Sequence, residues 1–132
     1  MKNLLILSFF FLMSNFGFGQ TQLEINADAN SDYQKADKEL NSTYQKILKE
    51  YRADPAFIKN LKIAQNIWIK FRDAEVNMKY PAREPGYYGS IQPTCWNMYM
   101  TELTQKRTKE LKIWLIGIPE GDVCSGSVKM KN

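Results

Sequence analysis

Three stretches of this chain repeat apolar residues at intervals of three and four, and each stops at a proline or a glycine. Tyr33, Ala36, Leu40, Tyr44, Ile47 and Tyr51 form the first series. Phe57, Leu61, Ala64, Trp68 and Phe71 form the second. Trp96, Met100, Leu103, Arg107, Leu111 and Trp114 form the third, with an arginine inside it. An α-helix turns once in 3.6 residues, so each series lies along one side of a helix. No segment alternates with the two-residue period of a half-buried strand. Three helices with one face each to bury restrict the chain to an all-α bundle.

The punctuation sets the boundaries. The first helix begins between Thr21 and Asn30 and ends near Arg52. NADANSD, residues 26–32, is a poor helix interior, which predicts a frayed start or a separate first turn. Asp54 can cap the next helix, and Pro55 suits a first position whose N–H would be unpaired anyway. That helix runs to about Tyr80, where Pro81 stops it. PAREPGYYG, residues 81–89, is a loop, and Ser90 is the expected cap of the third helix, with Pro93 in its first turn. Gly117 and Pro119 end the periodic region, and the tail after them reads as irregular and partly mobile. Short connections make consecutive helices antiparallel, giving an up-down-up three-helix bundle with an irregular C-terminal tail. The expected division is a helical domain over 20–116 and a tail over 117–132.

The first nineteen residues stand apart. Lys2 precedes an apolar run from Leu4 to Met13, and Gly17-Phe18-Gly19 offers small residues at the cleavage-recognition positions. That is the order of a secretory signal peptide cleaved after Gly19, which places the protein in the periplasm or outside the cell. The apolar run is shorter than the roughly 20 residues a membrane span needs, so no stable membrane anchor is expected. Removing Lys2 lowers the formal net charge of +4 by one. Two cysteines, Cys95 and Cys124, remain. Export favours a disulfide, but about 30 Å of helix would separate them, so the bond closes only if the tail runs back along its own helix. Free thiols or an intermolecular bond are the alternatives.

Several chemistries lack their residues. The chain has no histidine, which removes Ser-His and Cys-His nucleophiles and most zinc sites. No glycine-rich phosphate loop follows a strand, and no cofactor or metal is implied. Asp73 and Glu75 are two apart on a helix and point to different sides, so they make no glycosidase pair. The basic charge is mild and most aromatics fall on apolar faces, which argues against nucleic acid. Polar residues do reach the core edge. Bundle geometry sets Arg72 near Asp37 or Glu75, and Arg107 near Tyr44 or Gln65, as an interhelical network that fixes register. The most recognition-like surface is the 81–89 loop, with Arg83, Glu84, Tyr87 and Tyr88 between helix breakers. The alternative is a connector whose tyrosines fold back onto the core.

The combination ADKELNSTY at 36–44, LKIAQNIWIKFRDAE at 61–75 and Cys95-x5-TELTQKR resembles the lysozyme-inhibitor LprI-like N-terminal domain family, over roughly residues 21–112. The resemblance implies a small, exported, helical, non-enzymatic protein whose partner is another protein, with lysozyme the first candidate; the alternative is an envelope protein-interaction or immunity-type module with a non-lysozyme partner. It carries no catalytic residue. Its signature positions are Asp37, Leu40, Asn41, Tyr44, Gln65, Trp68, Arg72, Asp73, Glu75, Thr104 and Arg107, the same set assigned above to core and polar network. Two cysteines common in the family are replaced here by Asp28 and Val76, while Cys95 is kept.

Overall fold

The structure, a computed structural model, describes residues 20–131; the expected signal peptide, residues 1–19, lies outside the described residues. Three long helices, α1 (Gln22–Glu50), α2 (Pro55–Lys79) and α3 (Gln92–Leu111), are followed by a single turn, α4 (Ile113–Ile116). Contacts within 20–131 alone close the bundle. Arg72 on α2 reaches Asp37 on α1, and Gln65 on α2 meets Arg107 on α3. Asn26 near the start of α1 meets Thr94 near the start of α3, and Tyr51 just past the end of α1 meets Trp114 in α4. α2 is therefore antiparallel to both neighbours, and α1 and α3 are parallel: an up-down-up bundle.

Local chemistry explains each start. The Thr21 hydroxyl accepts the Glu24 N–H at 3.2 Å while the Glu24 carboxylate accepts the Thr21 N–H at 2.9 Å, a reciprocal capping box. α1 then runs unbroken through NADANSD, against the expectation of a fray or break. Its cap is strong, Ala29 is buried, and Asn26 accepts hydrogen bonds from Gln22 and Thr94. Packing outweighs weak propensity here. At α2 the Asp54 carboxylate accepts the Phe57 N–H at 2.9 Å, and Pro55 opens the helix. Ser90 does not cap α3; Ile91 occupies that position and no side chain caps it. Pro93 has no N–H, and Gln92 donates to the Gly89 carbonyl, so fewer amides need a cap.

α1 and α3 make by far the closest backbone approach in the bundle. Their buried residues include Ala29, Ala36 and Thr43 on α1 and Thr94, Thr104 and Thr108 on α3. Small side chains allow short interaxial distances, whereas Phe57, Trp68 and two arginines hold α2 further out. The apolar core gathers toward the α4 end, where Leu40, Ile47, Leu61 and Leu111 are buried beneath Tyr51, Phe57, Trp114 and Leu115. Two members of the expected α2 face are outside it: Ala64 is exposed and Phe71 is 53% exposed. Phe71 lies about 80° around the helix from Leu61, beyond the strip that meets the other helices.

The tail lacks regular structure, but it is tied down. Ile118 donates to the Lys129 carbonyl at 3.0 Å and accepts from the Lys131 N–H at 2.7 Å, forming a parallel bridge with Met130. The Tyr51 hydroxyl donates to the Trp114 carbonyl at 2.8 Å and accepts the Lys129 N–H at 3.2 Å. Trp114 Nε1 donates to Ser127 Oγ, and Lys129 pairs with Glu50. The tail thus folds back over the α4 end. Cys124 stays exposed within it, and Cys95 lies in the first turn of α3, at the other end of a 20-residue helix. Cys95 and Cys124 are not bonded to one another in this chain: the tail turns back at the bundle end and does not run down α3.

Two substitutions test this packing. Gly117 has φ 83° and ψ 173°, and a Cβ there would lie 2.8 Å from the Lys129 carbonyl oxygen. Gly117→Ala is expected to lower unfolding free energy in urea by at least about 2 kcal/mol. The Thr104 hydroxyl is fully buried with no hydrogen-bond partner. Thr104→Val keeps the shape and removes the orphan, so the same measurement should show a gain of about 1 kcal/mol.

Candidate functional site

The densest polar construction is built around Trp68. Steps of three and four residues on α2 set Gln65, Trp68 and Arg72 along one side. The Arg72 guanidinium carbon lies 5.3 Å from the Trp68 ring centroid, and that of Arg107, arriving from α3, lies 5.9 Å from it. The indole is thus held by two cations from two helices. Both arginine side chains are largely buried, at 11% and 16% exposure, so each needs fixed acceptors. Arg72 donates to Asp73 Oδ1 from Nε at 3.0 Å and from Nη2 at 2.9 Å, and its Nη1 is 3.7 Å from Asp37. Asp37 in turn accepts from the Asn41 amide at 3.0 Å. Arg107 Nε donates to Gln65 Oε1 at 3.1 Å, and its Nη1 is 3.5 Å from Glu110.

Of the partners expected from the sequence, Arg72 takes Asp37 and Arg107 takes Gln65. Glu75 instead accepts from the Tyr99 hydroxyl at 3.3 Å. Tyr44 packs against the core beside Leu40, and Thr104 is buried on α3. Val76, at a position where the resembled family has a cysteine, is 1% exposed and serves as apolar filling. Asp73 and Glu75 are each taken up by a neighbour and face no common space.

Beside this network α2 and α3 enclose a groove of about 370 Å³, lined by Trp68, Phe71, Glu75, Tyr99 and Leu103. A second groove, about 550 Å³, lies toward the end of α2, where the Lys79 ammonium sits 3.8 Å over the Tyr99 ring. Sequence reasoning missed Tyr99, Lys79 and the groove role of Phe71; Tyr99 falls outside the apolar series of α3, and no spacing marks it. Loss of solvent pushes the Tyr99 phenol up, and Glu75 pushes it further. Burial raises Tyr33 as well, with Arg72 opposing and Asp37 and Asp73 adding to the rise. Both phenols therefore stay protonated at neutral pH, and Tyr99 donates to Glu75.

The 81–89 loop divides its residues between two roles. Tyr88 turns inward: its hydroxyl donates to the Pro81 carbonyl at 2.7 Å, and its ring stands edge-on to Tyr80 at 5.7 Å. Tyr87 stacks edge-on against Tyr88 at 4.9 Å yet remains 60% exposed. The Arg83 guanidinium lies over Tyr87 at 5.7 Å, and Glu84 is exposed, its carbonyl accepting the Tyr87 N–H. Folding back thus holds for Tyr88 alone, and it braces an outward pair, Arg83 and Tyr87.

No helix among the described residues is long and apolar enough to cross a membrane. Comparison with known proteins supplies the rest. A protein of Rhizobium meliloti (strain 1021), itself uncharacterised, is 36% identical over 104 residues, covering 70% of this chain and 72% of its own length. No solved structure matches the chain. The profile of the family described as "Lysozyme inhibitor LprI" matches residues 17–111, which span all three long helices and every member of the Trp68 network. With a match over most of its length, this chain belongs to the lysozyme inhibitor LprI family.

Proposed function

We propose that this chain is an exported, non-enzymatic binding protein that inhibits a lysozyme, and that the 81–89 loop enters the glycan-binding cleft. Family membership supports the inhibitor reading. The loop geometry carries the choice of surface: Tyr87 and Arg83 project as a pair while Tyr88 anchors their base to Pro81 and Tyr80. A glycosidase cleft works with two carboxylates flanking the scissile bond. A guanidinium stacked on a tyrosine presents such a cleft with a cation and a flat, sugar-sized face, and the braced loop loses little freedom on entering. The signature residues hold the scaffold; their carboxylates and amides are already engaged with one another.

Charge favours a second reading. A chain of mildly basic net charge gains no long-range steering toward a basic lysozyme. A non-lysozyme protein of the cell envelope, met by the same loop, is that alternative.

The chain from Gln20 onward, assayed against c-type, g-type and i-type lysozymes, is expected to inhibit one class in a dose-dependent way. Arg83→Ala and Tyr87→Ala should each weaken inhibition roughly tenfold, the loss of a central interface anchor. Reductant should change nothing, because Cys95 and Cys124 are free. Full activity of all three classes at micromolar excess would overturn the lysozyme reading and leave the second.

A further inference from the structure

The outward side of α2 carries a line of apolar residues that no other element covers. Ile63, Ile67, Phe71 and Met78 are 47%, 61%, 53% and 69% exposed. Their spacings of four, four and seven place them in one row, roughly 150° around the helix from the buried strip of Leu61, Gln65 and Val76. A helix in a small bundle needs one apolar side; this one has two. The row extends about 22 Å along the axis.

Basic charge predominates along one margin of the row. Lys59, Lys62 and Lys70 run along one margin, all exposed, and none has a carboxylate partner among the described residues. At the N-terminal end the row opens into a shallow depression of about 580 Å³ lined by Arg52, Pro55, Ile58, Lys59, Lys62 and Ile63, with no acid in the lining. The nearby carboxylates are committed elsewhere: Asp54 caps α2, Asp73 binds Arg72, and Glu75, on the opposite margin, accepts from Tyr99.

We propose that this face of α2 docks the protein onto an anionic lipid surface. A helix side with exposed isoleucine and phenylalanine beside unpaired lysines matches an interfacial helix lying in the membrane plane, its apolar row sunk at the headgroup boundary and its lysines among the phosphates. The row runs straight along one helix, which suits a plane. A second copy paired antiparallel about a two-fold axis would set the lysine margin against its own image, so like charges oppose that occupant. Docking through the side of α2 leaves the 81–89 loop, beyond the helix end, free to meet a partner, and it does not depend on what that partner is.

Flotation of the chain from Gln20 with vesicles tests this. Vesicles of equal parts phosphatidylglycerol and phosphatidylcholine should carry the protein at low salt, and vesicles of phosphatidylcholine alone should not. Lys59→Gln, Lys62→Gln and Lys70→Gln should each weaken binding about fivefold. Ile67→Ser and Phe71→Ser should abolish it, with the far-ultraviolet dichroism of the free protein unchanged, since both side chains are exposed. Failure to float with anionic vesicles, or flotation indifferent to these substitutions, would overturn the proposal. So would a concentration-dependent dimer in sedimentation that Phe71→Ser abolishes while vesicle binding is absent, which would assign the face to a second copy.

Discussion

The placement of α2 depends on one side chain, Trp68, and on the two guanidinium groups that hold it. α1 and α3 approach closely through alanines and threonines and need little else to define their spacing. α2 has only Leu61, Gln65 and Val76 buried, too short a strip to fix a 25-residue helix by apolar contact alone. Arg72 from its own helix and Arg107 from α3 lie against the Trp68 ring, and their remaining donors go to Asp73, Asp37, Gln65 and Glu110. One network therefore joins all three helices. A slip of α2 by one turn would part Arg72 from Asp37 and Arg107 from Gln65, leaving each largely buried cation only the acceptor on its own helix, Asp73 or Glu110.

Much of the fold was legible because its signals were redundant. Periodicity, Asp54-Pro55, Pro81 and Gly117 each gave independent notice of where helices lie. The exceptions have identifiable causes. NADANSD reads as a weak helix segment, yet the Thr21–Glu24 box and burial of Ala29 against α3 hold it helical. Ser90 reads as a cap, but Pro93 and the Gly89 carbonyl reduce the need for one. Phe71 kept the right spacing and still faced outward, since a 3–4 series tolerates drift around the helix that only the neighbouring elements can limit. The tail has no period at all; its anchoring rests on Tyr51, Trp114 and Gly117, scattered in sequence and joined only in space.

The candidate site was partly legible for the same reason. The arginines, Gln65 and Asp37 were found because a charge on an apolar face demands a partner, and helix heights limit which one is available. Tyr99 was not found, because nothing in its spacing ties it to Glu75 or Lys79. The loop was marked by its breakers, but the division between an inward Tyr88 and an outward Tyr87 required the structure. The molecule then separates into three parts: a polar clamp that sets register, a braced loop that offers a cation and a ring, and a basic apolar helix face. The clamp residues are engaged chiefly with one another, which leaves recognition to the other two.

The central claim is that Trp68 and Arg107 stabilise the bundle jointly and not as separate packing residues. A double-mutant cycle in urea unfolding, with Trp68→Leu and Arg107→Met made singly and together, measures this directly. A coupling of about 1–2 kcal/mol is expected for a cation held over an indole in a largely desolvated setting. Free energies that add to within about 0.3 kcal/mol would contradict the account, and α2 would then be placed by apolar packing alone.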